Sequence, residues 1–265
     1  MAWGSDTTLR ESESEPEPVT PEPVTPDPPP LPGRPLMTQS WLDATFLHWA
    51  VDPEVVAPLL PAGVMPDVIN GATYVGLIAF RMHRIGWWPL PGMPYLGTFP
   101  ETNVRLYSVD AAGRRGVVFR SLEASRLLPV ATARTAFRLP YRWARMSAYR
   151  SGDEYWYGSR RREPGLPPSR SVIGVRIGAA VSTPSDLDHF LTARWRLHFT
   201  LGGRTVHMPN AHPRWPLHQA ELLACEEDLV AAAGLPGVSS RPPDSVLFSP
   251  GVPVRFGRPR AVTRD

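Results

Sequence analysis

From Met37 to about Pro259 the chain runs in short apolar stretches broken by turn-forming residues. TYVGLIAFRM (73–82), TNVRLYSVD (102–110), GVVFRSLEA (116–124), RMSAYRSG (145–152), EYWYGSRR (154–161), SVIGVRIG (171–178), RWRLHFTL (194–201) and RTVHM (204–208) are rich in β-branched or aromatic residues and bounded by Gly, Pro or Asp. Each reads as a strand. Helical spacing is confined to three places. A short helix is predicted over 53–60, with Asp52 as N-cap and Pro53 at the first helical position. SDLDHFLTARW (185–195) and PLHQAELLACEEDLVAAAG (216–234) carry the others, the second closing on Gly234. Strand following strand with few helices between predicts a mainly β fold with a few helices (α+β), its antiparallel sheet curled or closed. No interior linker interrupts it, so residues 37–265 are expected to form one domain.

Residues 1–36 break this pattern. They hold ten prolines, repeat PEPVT, and set seven acids (Asp6, Glu11, Glu13, Glu15, Glu17, Glu22, Asp27) against Arg10 and Arg34, giving −5 in a chain of net charge +3. So few apolar side chains cannot build a core, and a disordered, semi-extended acidic tail is expected. The surplus of Arg in the remainder is scattered through predicted strands rather than gathered on one helix, and no nucleic-acid motif is present, so nucleic acid is not expected as a partner. No apolar run approaches the roughly 18 residues of a membrane span. The start lacks the basic and apolar stretches of a secretory signal. With one cysteine, Cys225, an internal disulfide is ruled out. A soluble, cytoplasmic protein is expected, with Cys225 as a buried structural thiol rather than a nucleophile.

The candidate chemistry begins with an absence. All 28 residues counted as Lys plus Arg are Arg. A GC-rich genome accounts for this, yet the chemical consequence holds regardless: no side-chain amine exists to form a Schiff base. What Arg offers is a planar fork for carboxylate or phosphate. In PETNVRLY, strand alternation puts Glu101, Asn103 and Arg105 on one face and Thr102, Val104 and Leu106 on the other. A carboxylate, an amide and a guanidinium backed by apolar residues make a polar wall for a cavity. Two readings stand for Glu101: a general acid or base, or one half of a structural ion pair with Arg105 or Arg142. VHMPNAHPRWPLH sets His207, His212 and His218 within twelve residues. Their spacing matches no ligand pattern and three prolines break any helix that would present them together, so no metal is expected. His218 is the candidate general base among them, and His48 in FLHWA a comparable cavity residue. Trp87 and Trp88 stand in a Pro/Gly-rich loop that reads as a lid, a packed loop or a contact in a homo-oligomer.

Taken in order, WLDATFLHWAVDPEVVAPLLPAGVMPDVINGATYVGLIAFRM, FPETNVRLYSVDAAGRRGVVFRSLEASR, ARTAFRLPYRWARM, HFLTARWRLHF and HPRWPLHQAEL resemble the uncharacterised domain-of-unknown-function family 2071, over nearly all of residues 37–260. That family is grouped with the acetoacetate-decarboxylase-like superfamily, and the resemblance implies a barrel-like fold around an internal cavity. It implies no reaction. In the decarboxylases a Pro-Lys-Lys segment supplies the imine-forming Lys. LPYRWA resembles its counterpart, with Tyr141 and Arg142 where the lysines would fall, so imine-based decarboxylation is excluded here. The resemblance also implies that a Glu on a strand like that of Glu101 faces the site. FLTARW departs from the family, which usually has Glu where Ala193 stands.

The expectation is a small-molecule enzyme handling a carboxylate or β-keto compound by cofactor-independent acid–base chemistry: enolisation, dehydration, cyclisation or non-imine decarboxylation. Glu101, Arg142 and His218 are the expected catalytic residues, and Asn103, Arg105, Tyr141 and His48 the ligand-binding ones. No cofactor is expected. A non-catalytic binding or interaction module using the same cavity is the alternative.

Overall fold

The computed structural model describes residues 19–126 and 134–263. The strands are β1 (Met37–Val51), β2 (Val64–Pro66), β3 (Thr73–Trp87), β4 (Phe99–Asp110), β5 (Arg115–Ala124), β6 (Tyr141–Ser151), β7 (Glu154–Arg161), β8 (Arg170–Ala180), β9 (Arg196–Leu201), β10 (Arg204–Ala211), β11 (His218–Glu227), β12 (Ser245–Phe256) and β13 (Arg260–Ala261). Short helices α1 (Pro53–Val56), α2 (Asp186–Thr192) and α3 (Leu229–Ala232) lie between them. Asp52 caps α1 through the amide of Glu54, and Ser185 and Asp188 form a reciprocal capping box on α2.

Following the pairings, β3, β4, β5, β6, β7, β8, β11, β12 and β1 close into a nine-stranded barrel. The sheet forks at two of its members. The end of β5 pairs with β6 (Leu122 with Tyr141), whereas its start pairs with β9 (Val117 with Leu197). Likewise the start of β12 pairs with β11 and its end with β10. A second ring of β5, β9, β10, β12, β1, β3 and β4 therefore closes against the same wall.

Alternation then assigns each face of that wall. Leu47, Trp49, Val75, Leu77, Ala79, Val104 and Leu106 point into the nine-stranded barrel, meet Tyr155, Tyr157, Ile173 and Val175 there, and fill it. The intervening residues face the second ring. A bulge in β1 between Leu42 and Thr45 puts Trp41, Ala44 and Phe46 on that same second face, with Asp43 taking φ 52 at the irregularity.

Two expectations are corrected. PLHQAELLACEE is not helical: residues 218–227 are β11, which closes the barrel between β8 and β12, and only Leu229–Ala232 beyond them coil. The pairing partners on both edges override the local helical spacing. The tail is not disordered throughout. Residues 19–36 lie along the domain as a strap, while 1–18 fall outside the described residues. The Glu22 amide donates to the carbonyl of Gly113, its carboxylate pairs with Arg196, Trp195 Nε1 donates to the carbonyl of Thr25 at 3.0 Å, and Arg214 Nε donates to Asp27 at 2.7 Å. Gly113 sits at φ 76, and a Cβ there would collide with the carbonyl of Thr20. Composition foresaw the missing core but not that acidic side chains would find arginines on the body. Strand β12 was also not anticipated; SVLFSPGVPVRF is interrupted by Pro250, Gly251 and Pro253.

Candidate functional site

The second ring encloses a cavity of about 90 Å3. Phe46, Phe80, Phe119, Leu122, Leu139 and Met208 supply its apolar lining, and Glu101, Asn103 and Arg105 project into it from β4 as one polar row. Glu101 and Arg105 lie four residue steps apart on the strand, about 13 Å along the backbone, with Asn103 midway.

Glu101 is 2 % exposed, and Tyr141, the first residue of β6, donates its hydroxyl to Oε2 at 3.0 Å. Burial pushes the Glu101 carboxyl up to about 7, against the opposing pull of hydrogen bonds from Tyr141 and Asn103. Burial, and then the Glu101 charge, raises the Tyr141 phenol well above its ordinary range, so it stays a donor. At the other end Arg105 donates to the carbonyl of Leu191 at 2.8 Å and to the hydroxyl of Tyr107 at 3.0 Å. That hydroxyl also meets His48 Nε2 at 2.7 Å. Arg194, 4 % exposed, follows α2, donates to the carbonyl of Phe190 at 2.6 Å, and ion-pairs with Asp67, which Arg115 grips from its other side. Among the described residues, three buried polar atoms of cavity-lining side chains have no partner: Asn103 Oδ1, Asn210 Oδ1 and Arg194 Nη2. A ligand with both acceptors and donors would satisfy them.

The structure thus brings together Glu101, Asn103, Arg105 and Tyr141. Glu101 pairs with neither arginine considered for it: Arg105 bonds Tyr107 and Leu191, and the nearest carboxylate to Arg142 is Glu163 at 3.8 Å. Arg142 is corrected as a site residue. It follows Tyr141 on β6, so alternation turns its side chain away from the cavity, where it is 28 % exposed. His218 is also corrected: at the start of β11 it is partly exposed, contacts the carbonyl of Gly178 at 3.2 Å and does not line the cavity. His48 is fully buried one layer behind the lining, and burial, reinforced by the charges of Arg105 and Arg194, holds its imidazole neutral. The three clustered histidines separate, His212 lining the cavity, His207 a different cleft and His218 neither. Burial pushes the Cys225 thiol up to about 12, which leaves it unreactive. Sequence reasoning missed Gln39, Arg194, Asn210 and Trp215 in the lining. Arg194 adjoins Ala193, the one position noted as departing from the family, and that was the available signal.

A model of the family DUF2071, described as "Uncharacterized conserved protein", matches residues 38–253. The uncharacterized protein YqjF of Bacillus subtilis (strain 168) is 32 % identical over 186 residues, spanning 70 % of this chain and 76 % of that protein. Among solved structures, acetoacetate decarboxylase from Legionella pneumophila superposes with a TM-score of 0.59 at 13 % identity over 98 % of both chains. An acetoacetate decarboxylase-like enzyme from Sphingomonas wittichii RW1 gives 0.57 at 11 % identity over 86 % of this chain and 94 % of that one. The enduracididine biosynthesis enzyme MppR complexed with pyruvate gives 0.53 at 14 % identity, over 88 % and 92 %. The fold is that of the acetoacetate decarboxylases. Among the described residues no helix is long and apolar enough to cross a membrane.

Proposed function

The chain belongs to DUF2071, and from that premise and the Glu101 site we propose that it is an enzyme performing cofactor-independent acid–base chemistry on a small carboxylate or β-keto compound. The observation that carries the reading is a buried carboxyl, its pKa raised to about 7, projecting into a largely apolar cavity. Such a group takes a proton and returns it within the physiological range. Glu101 accepts the proton from carbon, Tyr141 fixes the carboxyl's orientation, and Arg105 with Asn103 holds the oxygen on which negative charge develops. In a site lined by Phe and Leu these interactions gain strength from the low dielectric. A cavity of about 90 Å3 with an apolar lining and a short polar row suits a small organic acid. That a structural relative is complexed with pyruvate supports the same size class. With no Lys in the chain, the carbanion is stabilised as an enolate rather than through an imine. Dehydration and cyclisation begin with this enolisation; non-imine decarboxylation reaches an enolate instead by loss of CO2, after which protonated Glu101 delivers the proton to carbon.

The test is proton exchange. Pyruvate, 2-oxobutyrate and acetoacetate are incubated with the protein in D2O, and loss of the α-proton signal is followed by NMR. Exchange above the buffer rate that disappears in Glu101→Gln is expected. Saturable binding with no exchange for any retained ligand would turn the reading to a non-catalytic binding module.

A further inference from the structure

A second cleft, of about 430 Å3, opens between Pro29–Pro32 of the strap and strands β9, β10 and β13, and shares only Asn210 with the lining of the central cavity. Its charge is one-sided. Arg114, Arg196 and Arg260 line it, and among its described lining residues there is no carboxylate. Arg114 is anchored through Nε to Asp110 at 2.8 Å, which leaves its Nη2 buried and unpartnered. Arg196 is paired with Glu22 of the strap. Arg260, exposed on β13, makes one long contact, Nη2 to the carbonyl of Pro32 at 3.4 Å. His207, 5 % exposed, has no partner for Nδ1 among the described residues. Buried polar atoms without partners are rare, because each forfeits the hydrogen bond it made with water. Here two that can donate, Nη2 of Arg114 in the β4–β5 turn and Nδ1 of His207 on β10, belong to residues lining one cleft.

Trp195 and the proline run form the apolar walls. We propose that this cleft is a second ligand site, taking a small oxyanion, a phosphate or carboxylate group, between the guanidinium groups of Arg114 and Arg260 and the imidazole of His207. Planar guanidinium forks match the oxygens of either group. Burial, with the Arg114 and Arg196 charges acting in the same sense and Asp110 opposing, holds His207 down at about 4. At neutral pH its ring is therefore uncharged and able to present an Nδ1–H to the anion.

The test uses the full chain with 15N-labelled histidine at pH 7, titrated in parallel with inorganic phosphate, citrate and, at matched ionic strength, sodium chloride. A saturable change of the His207 ring signals toward the Nδ1–H tautomer is expected with phosphate or citrate. Phosphate alone acting identifies a phosphate site, and citrate alone a carboxylate site. The signals of His212, in the central cavity, stay in place. Arg260→Ser, on an exposed edge where folding is not at stake, is expected to weaken the midpoint about tenfold, roughly one charge-assisted hydrogen bond. Equal changes in chloride, movement of His212 in place of His207, or an unaltered midpoint in both Arg260→Ser and Arg260→Glu would overturn the assignment.

Discussion

Replacing Glu101 by Gln reverses an expectation that a buried charge normally carries. A carboxyl whose folded-state pKa stands at about 7 instead of 4.5 binds its proton more tightly in the folded chain than in the unfolded one. Stability from this group is fully present below pH 4.5 and is lost as pH rises to about 7, at about 1.4 kcal/mol per pH unit, or about 3 kcal/mol over the window. Gln has the same shape, stays neutral throughout and still accepts from the Tyr141 hydroxyl. Glu101→Gln is therefore expected to match the wild type near pH 4.5 and to exceed it by about 3 kcal/mol at pH 8. Urea unfolding midpoints of both proteins at several pH values measure this, and every other titrating group cancels in the difference. Had Glu101 formed an ion pair with Arg105 or Arg142, removing its charge would strand a guanidinium and destabilise by about 3–5 kcal/mol. A Gln variant less stable than wild type at pH 8 refutes the picture of a solitary buried carboxyl.

Four further outcomes are expected. Tyr141→Phe removes one of the two donors that pull the Glu101 carboxyl down, leaving Asn103, so the carboxyl midpoint read by 13C NMR moves upward from about 7, and a downward movement contradicts the geometry. Asp67→Asn leaves Arg115 and Arg194 sharing a neutral amide in a buried site and lowers stability by about 3–5 kcal/mol in denaturant unfolding. Removing residues 1–36 strips Glu22 from Arg196 and Thr25 from Trp195 and lowers Tm by roughly 5 °C, with faster amide exchange in β9 and β10. Borohydride with pyruvate traps no side-chain adduct on the wild type; Tyr141→Lys, placing an amine beside Glu101, yields an adduct at residue 141 by peptide mass spectrometry, and Arg142→Lys, facing outward, does not.

The contrast between residues 141 and 142 shows where sequence reasoning stops. Alternation along PETNVRLY was enough to group Glu101, Asn103 and Arg105, because a strand's period fixes relative faces without knowing the fold. It does not say which face a neighbouring strand presents to the same space. For LPYRWA that depended on the pairing of Leu122 with Tyr141, a contact across 19 positions, and a slip of one residue exchanges the two faces. The helical reading of residues 216–227 failed for a related reason. Local spacing there is ambiguous, and the decision belongs to two barrel edges, β8 and β12, distant in the chain. The strap failed differently: its composition excludes a core of its own, but ion pairing to a finished surface leaves little trace in composition.

The wall shared by the two rings constrains how the cavity can change. Along β1, β3 and β4 the runs 43–49, 73–80 and 106–110 are buried on both faces, so each strand is clamped between the packed barrel on one side and the cavity on the other. Enlarging a residue such as Ile78 toward the cavity presses against a backbone whose next side chain, Leu77, is locked in a filled core. Adaptation to a larger or differently shaped molecule is thus cheapest at the segment leading into β6, where Leu139 and Pro140 are only half-buried, because residues 197–199 of β9 and 206–211 of β10 are themselves buried on both faces. In laboratory evolution for altered selectivity, accepted substitutions should accumulate at the half-buried lining residues Phe137 and Leu139, while the β4 row stays fixed as the part of the cavity the fold itself forbids to drift.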